Sequence, residues 1–243
     1  MSRLQNSILA GRQLLDAPAL MEANAARKPL LDTANHWRSF IRMGDLYLEA
    51  VQGVVEAAER ASQVEDGLAA RRANADVSGA MKRVVDVTAK AYEHFAHGRT
   101  AMYEVAKLYG IQTKRPSLTG SKKPSSLTML GDEDLRKVLG KSGARLGAGI
   151  RKMLDVGART AKDFRTAAQS SEEVPLEQVK MLVSQGLDFR DSVSAHVFAR
   201  THGIMRRAAE LSKRSWELMM MEDSKLGWVA PWARDPEIGD LEA

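Results

Sequence analysis

The chain has 243 residues, 44% of them apolar and 28% charged, and its formal net charge is +5 at pH 7. This composition supplies enough apolar surface for a buried core, so a disordered chain is excluded. Cysteine is absent, which excludes disulfides, thiolate metal sites and cysteine nucleophiles. No stretch approaches 18 consecutive apolar residues, so we expect no integral membrane protein.

The N-terminus allows two interpretations. Arg3 and Arg12 interrupt an apolar, serine-containing stretch whose first acid is Asp16, a pattern shared with organellar targeting helices. The stretch continues without a break into further helical sequence, which favours a part of the folded domain. We expect no secretion signal, and a location in the cytoplasm or in a particle assembled there.

The first half of the chain shows helical periodicity of its apolar residues. An amphipathic stretch over residues 3–27 is interrupted at Pro18, a second helix is predicted over 30–63, and a third over 75–109. The third should end before Gly110, because glycine accepts the left-handed backbone that terminates many helices.

A basic linker is predicted over residues 111–131, where the sequence reads IQTKRPSLTGSKKPSSLTMLG. It is rich in Ser, Thr, Gly, Pro and Lys and has no apolar stripe. Two interpretations stay open: an arm that contacts a partner, or a solvated connector kept soluble by its lysines.

A fourth helix is predicted from Asp132, a candidate N-cap, to Ala168. Its apolar stripe should be buried, because an exposed apolar row of that length would aggregate or require a partner. We expect the following side chains in that stripe: Leu135, Leu139, Leu146, Ile150 and Met153. A fifth helix is predicted from Leu176 to Glu222, after Pro175.

Positive charge is concentrated around the linker and the fourth helix. Residues 114–165 hold 13 Lys and Arg against 5 Asp and Glu, which leaves 23 basic and 26 acidic residues elsewhere. Clustered cations raise the local potential, as in proteins that bind polyanions. The alternative is a solvated face paired with acids of the same chain. The predicted nucleic-acid-binding residues are Lys114, Arg115, Lys122, Lys123, Lys137, Lys141, Arg145, Lys152, Arg159, Arg200, Arg207 and Arg214.

A short internal repeat suggests how the helices are arranged. The pattern F-A-x5-M-x3-A-x-L occurs at residues 95–108 and again at 198–211. The expected fold is an all-α bundle of four to five long antiparallel amphipathic helices, which the repeat would divide into two related hairpins. The predicted units are an N-terminal hairpin region over 1–110, the linker, a C-terminal hairpin over 132–225 and an acidic tail over 226–243.

The tail holds Trp228 and Trp232 beyond the last predicted helix. Tryptophan buries a large area at a small cost in side-chain entropy, so both residues are predicted to contact a neighbouring copy in a homo-oligomer. Equally, the tail could fold back and cover its own bundle.

Motifs of enzymes and metal sites are incomplete. The sequence Gly140-Lys141-Ser142 lacks the upstream glycine and the preceding strand of a phosphate-binding loop. His94 and His97, with Glu93 and Glu104, do not match the spacing of di-iron bundles. We expect neither an enzyme nor a metal site, cofactor or small-molecule substrate.

Two functions fit these features. The first is a structural, self-associating protein that binds nucleic acid or another polyanion, such as a virion, nucleocapsid or nucleoid component. The second is an amphipathic scaffold or surface coat: the sequence LMEANAARKPLLDTANHW at 20–37 and the Ala-rich, cysteine-free helices resemble phasins, the coat proteins of polyester granules. Four tryptophans and many arginines depart from that resemblance, which assigns no residue roles.

Overall fold

The computed structural model describes residues 25–64, 67–113, 143–170 and 172–198, and four single positions, Thr201, Trp232, Asp235 and Glu237. Every regular element within these residues is a helix, which confirms the predicted all-α bundle. None of the helices in this part of the chain is long and apolar enough to cross a membrane.

The described helices are labelled in chain order. They are α1 over 25–42, α2 over Gly44–Ser62, α3 over Leu68–Leu108, α4 over Gly143–Gln169 and α5 over Leu176–Val193. A π-helical turn, Ser194–Phe198, continues α5. Helix α2 packs along α3, α5 packs against both α3 and α4, and α2 also contacts α4.

The second predicted helix is divided in two, which the sequence pattern did not indicate. A turn at Met43 separates α1 from α2, and Gly44 begins α2 against the side chain of Leu154 on α4. A Cβ atom at position 44 would lie 2.1 Å from Leu154 Cδ1. The close approach of α2 to α4 at this point therefore requires glycine, and it depends on a contact with a distant part of the chain.

The end of α3 confirms the prediction made from Gly110. This residue has a φ of +65°, and its N–H donates to Lys107 O at 3.2 Å. The N–H of Ile111 donates to Ala106 O at 2.8 Å. These two bonds form a Schellman motif, which satisfies carbonyl groups that the last helical turn leaves without partners.

The apolar side of α4 faces the core, which confirms the predicted burial of two residues of its stripe. Ile150 and Met153 are 2% and 5% exposed. Leu135 and Leu139 lie outside the described residues, as does the side chain of Leu146. At the other end of α4, Arg27 of α1 donates to Ala168 O at 2.9 Å, a position where the helix dipole favours a cation.

The fifth helix was predicted as continuous to Glu222, but it changes to π-helical geometry at Ser194. The Ser194 hydroxyl donates to Arg190 O at 2.9 Å, and the Thr201 hydroxyl donates to Val197 O at 2.7 Å. Such side-chain bonds to the backbone compete with regular helical bonds. The described turn presents Phe198 to the core with none of its surface exposed.

One apolar core joins the two predicted hairpins. Trp37 of α1 is fully buried, with its ring centre 5.5 Å from that of Phe164 on α4 and 5.2 Å from that of Phe189 on α5. Both ring pairs meet edge to face, an arrangement that the charge distribution of aromatic rings favours. The two phenylalanines of the internal repeat, Phe95 and Phe198, also contact each other at 5.3 Å.

Trp37 fits only because glycines line its pocket. A Cβ atom at Gly98 would lie 2.3 Å from Trp37 Cδ1, and one at Gly186 would lie 2.9 Å from Trp37 Cη2. At Gly79, also in α3, a Cβ atom would have no neighbour within 4 Å. These positions therefore supply a matched pair of substitutions in one helix.

We expect Gly98→Ala to lower the free energy of unfolding by about 1–3 kcal/mol, because Trp37 must shift from its packed position. Gly79→Ala should instead raise it by up to about 1 kcal/mol, through the higher helix propensity of alanine. Urea denaturation followed by circular dichroism measures both. Equal effects of the two substitutions would contradict the role assigned to Gly98.

Candidate functional site

The outer face of α4 carries the predicted nucleic-acid-binding residues that the structure describes. Lys152 and Arg159 are exposed. Arg151 and Lys162 are exposed beside them, and Arg165 is half-buried. Asp155 and Asp163 lie on the same helix and are also exposed. This surface, the cations of residues 151–165, is called the α4 basic face below.

No described acid forms an ion pair with Lys152 or Arg159, nor with the other cations of the α4 basic face. Among the exposed cations elsewhere in the described chain, Arg83 pairs with Glu49 at 2.9 Å and Lys180 with Glu177 at 2.7 Å, whereas others, such as Arg71 and Lys82, have no partner among the described acids. The solvated-face interpretation expected acids of the first helices to neutralise this face, and the described acids of α1, α2 and α3 do not.

The side chains of the other predicted binding residues are not described, so their role in binding stays a prediction. The backbone of Arg145 lies in α4, but its side chain is not described. The remaining positions are Lys114, Arg115, Lys122, Lys123, Lys137, Lys141, Arg200, Arg207 and Arg214. Trp228, a predicted oligomer contact, lies outside the described residues.

Trp232, the other predicted oligomer contact, is buried against the chain's own bundle. It is 3% exposed, and its ring stacks on that of Phe198 with centres 6.1 Å apart and planes 26° apart. This is the self-covering alternative for the tail. The contact of the tail with a neighbouring copy stays a prediction.

Asp235 anchors the tail to α3. Its Oδ2 accepts hydrogen bonds from Arg99 Nη2 at 2.6 Å and from the Tyr92 hydroxyl at 2.8 Å. The side chains of Arg99 and Asp235 are only 12% and 3% exposed. Burial opposes ionisation of Asp235, but the bonds from Arg99 and Tyr92 outweigh it and lower the pKa of the carboxyl group.

Glu237, two residues after Asp235, forms a second charged contact with the bundle. Its carboxylate accepts from the Tyr103 hydroxyl at 2.8 Å and lies 3.2 Å from Arg99 Nη1 and 3.7 Å from Arg190 Nη1. Arg190 of α5 also donates to the Tyr103 hydroxyl at 2.6 Å. Burial raises the pKa of Tyr103 to about 12, so its hydroxyl stays protonated at neutral pH.

These residues form one cluster between α3 and α5, here named the tail site: Tyr92, Arg99, Tyr103, Arg190 and Phe198. Sequence reasoning missed it, although α3 carried a signal. Tyr92, Arg99 and Tyr103 are spaced by seven and four residues, which places them on one stripe of a helix whose neighbouring stripe is apolar. Because Arg99 lies beside this apolar stripe, its charge needs an acidic partner. That partner is Asp235, 136 residues away in sequence.

We expect Arg99→Leu to destabilise the protein by about 3 kcal/mol, because it leaves Asp235 buried and unpaired. Arg83→Leu breaks an exposed pair instead, with side chains 60% and 63% exposed, and should cost less than about 1 kcal/mol. Urea denaturation compares the two. The double variant Arg99→Leu, Asp235→Leu should regain part of the loss, and no recovery would contradict the assignment of the cost to the lone carboxylate.

A cluster of three histidines lies between α1 and α3. The ring centre of His36 is 5.1 Å from that of His97, with the rings stacked, and 6.1 Å from that of His94. Burial and the charges of His97 and His94 lower the pKa of His36, and Asp32 opposes them. No group of residues within the described chain has the arrangement of a metal site.

The lowered pKa of His36 predicts that the protein becomes less stable as the pH is lowered. Below about pH 6.5, His36 is protonated in the unfolded chain, whereas in the folded protein its protonation requires a lower pH. The free energy of unfolding should therefore decrease from pH 7.5 to 5.5. His36→Gln should flatten this decrease, which urea titrations at several pH values measure; an identical slope in both proteins would refute it.

No family model, curated protein or solved structure matches this chain.

Proposed function

We propose that this protein is a non-enzymatic structural protein that binds a polyanion, most directly nucleic acid, through the α4 basic face, and that it self-associates. The observation that supports the proposal is the row of cations on α4, four of them exposed, none of which forms an ion pair with a described acid. A component of a virion, a nucleocapsid or a nucleoid has this combination of properties.

The spacing of the α4 basic face suits a phosphate backbone. Residues 151–165 extend over about 21 Å at the rise of an α-helix. Lys152 and Arg159 are seven residues apart and so lie on the same side, two turns from each other. Each cation that contacts a phosphate releases counterions, so affinity decreases as salt concentration increases, without a requirement for particular bases.

The surface-coat alternative receives less support from the packing. A coat protein must present its apolar stripe to the coated surface, whereas the described helices direct theirs into a shared core. Within the described residues, the exposed large apolar side chains are spread over all five helices: Leu31, Leu46, Leu68, Leu108, Val156, Leu176 and Met181. Isolated exposed residues of this kind are normal for a protein surface.

Charge reversal on α4 tests the proposal. The variant Lys152→Glu, Arg159→Glu, Lys162→Glu should weaken binding to labelled DNA or RNA for all sequences. The slope of log affinity against log salt should flatten by about 0.7 to 0.9 for each lost phosphate contact. Fluorescence anisotropy over a range of salt concentrations measures both quantities.

A matched control has the same change in charge on another surface. Arg71, Arg72 and Lys82 of α3 are exposed, and their reversal to Glu should leave the salt slope nearly unchanged. If both variants lose affinity equally, net charge alone controls binding and the α4 basic face is not the site. An affinity for apolar particles that persists at high salt would instead support the surface coat.

A further inference from the structure

The described residues of the tail contact the tail site within one short segment. All described contacts of the tail are made by Trp232, Asp235 and Glu237, which span six residues. Bonds within the segment shape it: Asp235 N–H donates to Trp232 O at 3.2 Å, and Glu237 N–H donates to Asp235 Oδ1 at 3.0 Å. Residues 232–237 are named the tail motif.

The tail motif and the tail site complement each other in charge and in shape. Two carboxylates meet two arginines and two tyrosine hydroxyls, and one indole ring meets Phe198. Hydrogen bonds with an ionised partner are stronger than neutral ones and give geometric specificity. The bundle thus has the properties of a receptor for an acidic peptide with one tryptophan.

The tail motif is connected to the bundle by a long segment of chain. Thirty residues, 202–231, separate Thr201 from Trp232. Even a fully helical segment of that length would extend about 45 Å, comparable to the size of a small domain. The length of the connection therefore permits the motif to reach a site on its own bundle or on an adjacent one.

We propose that the tail motif is an exchangeable docking element, which occupies the tail site of a second copy of this chain and so joins copies into oligomers. The motif can dock within its own chain or on a second copy, and both kinds of docking use the contacts already described. Exchange of an identical element between protomers is a low-cost route to association. The proposal rests on the self-association part of the proposed function and supplies its contact.

Concentration decides between the two arrangements. A motif on the same chain is held near its own site, so it occupies that site when copies are dilute. Copies held close together along a polyanion raise the competing concentration of neighbouring motifs. Exchange should therefore be detected most clearly when docking within one chain has been removed by substitution.

Two complementary full-length variants isolate the exchange. The first has a substituted site, Arg99→Gln with Arg190→Gln, and keeps its tail motif. The second has a substituted motif, Trp232→Ala with Asp235→Asn and Glu237→Gln, and keeps its site. Neither variant forms the full contact alone, but the motif of the first fits the site of the second. Sedimentation velocity should show a one-to-one complex in the mixture, with twice the mass of either variant alone.

A third protein serves as the control. Adding Trp232→Ala to the site-substituted variant should abolish the complex, because both partners then lack the tryptophan. A mixture whose components sediment separately, while circular dichroism shows both folded, would overturn the proposal. Loss of the complex only above about 1 M salt would agree with it, since part of the contact is buried apolar area.

A peptide provides a second measurement that does not need the site-substituted variant to fold. A fluorescent peptide of residues 229–240 should bind the motif-substituted full-length protein, and a scrambled peptide of the same composition should bind at least tenfold more weakly. Equal binding of the two peptides would overturn the proposal. Neither experiment contains nucleic acid, so failure of tail exchange is distinguished from failure of the α4 basic face.

Discussion

The packing of Trp37 against glycines is the constraint on which the rest of the bundle depends. Gly98 and Gly186 leave the space for the indole, and Phe164 and Phe189 close it from α4 and α5. The indole N–H has no acceptor among the described residues, which costs about 1–3 kcal/mol. Burial of a tryptophan contributes about 4–6 kcal/mol at ordinary transfer energies, so packing outweighs the lost hydrogen bond.

A series of ring contacts extends from this point to the tail. Phe40 touches Phe189 and Phe198, and Phe198 stacks on Trp232. The tail motif is thus continuous with the core. A buried ion pair alone is close to neutral for stability, because desolvation cancels most of its attraction. Burial of Trp232 therefore supplies the affinity, while Arg99 and Arg190 determine which segment fits.

Local patterns predicted much of the fold. Helical periodicity indicated the all-α class and the burial of Ile150 and Met153, and Gly110 marked the end of α3, since these signals act within a few residues. The break at Met43 depends on the contact of Gly44 with Leu154, which no local pattern contains. The tail site was missed for the same reason: it unites α3 and α5 with residues near the end of the chain.

The described basic residues fall into two groups that differ in whether they form ion pairs: the arginines of the tail site, and the cations of the α4 basic face. Arg99 is paired with Asp235 and Glu237 of the tail, and Arg190 is paired with Asp191 of its own helix at 2.7 Å and with Glu237 at 3.7 Å. Exchange of tail motifs between copies preserves that pairing at every site. The proposed assembly through the tail and the proposed polyanion binding through α4 would therefore use different cations, and neither interaction would need to displace the other.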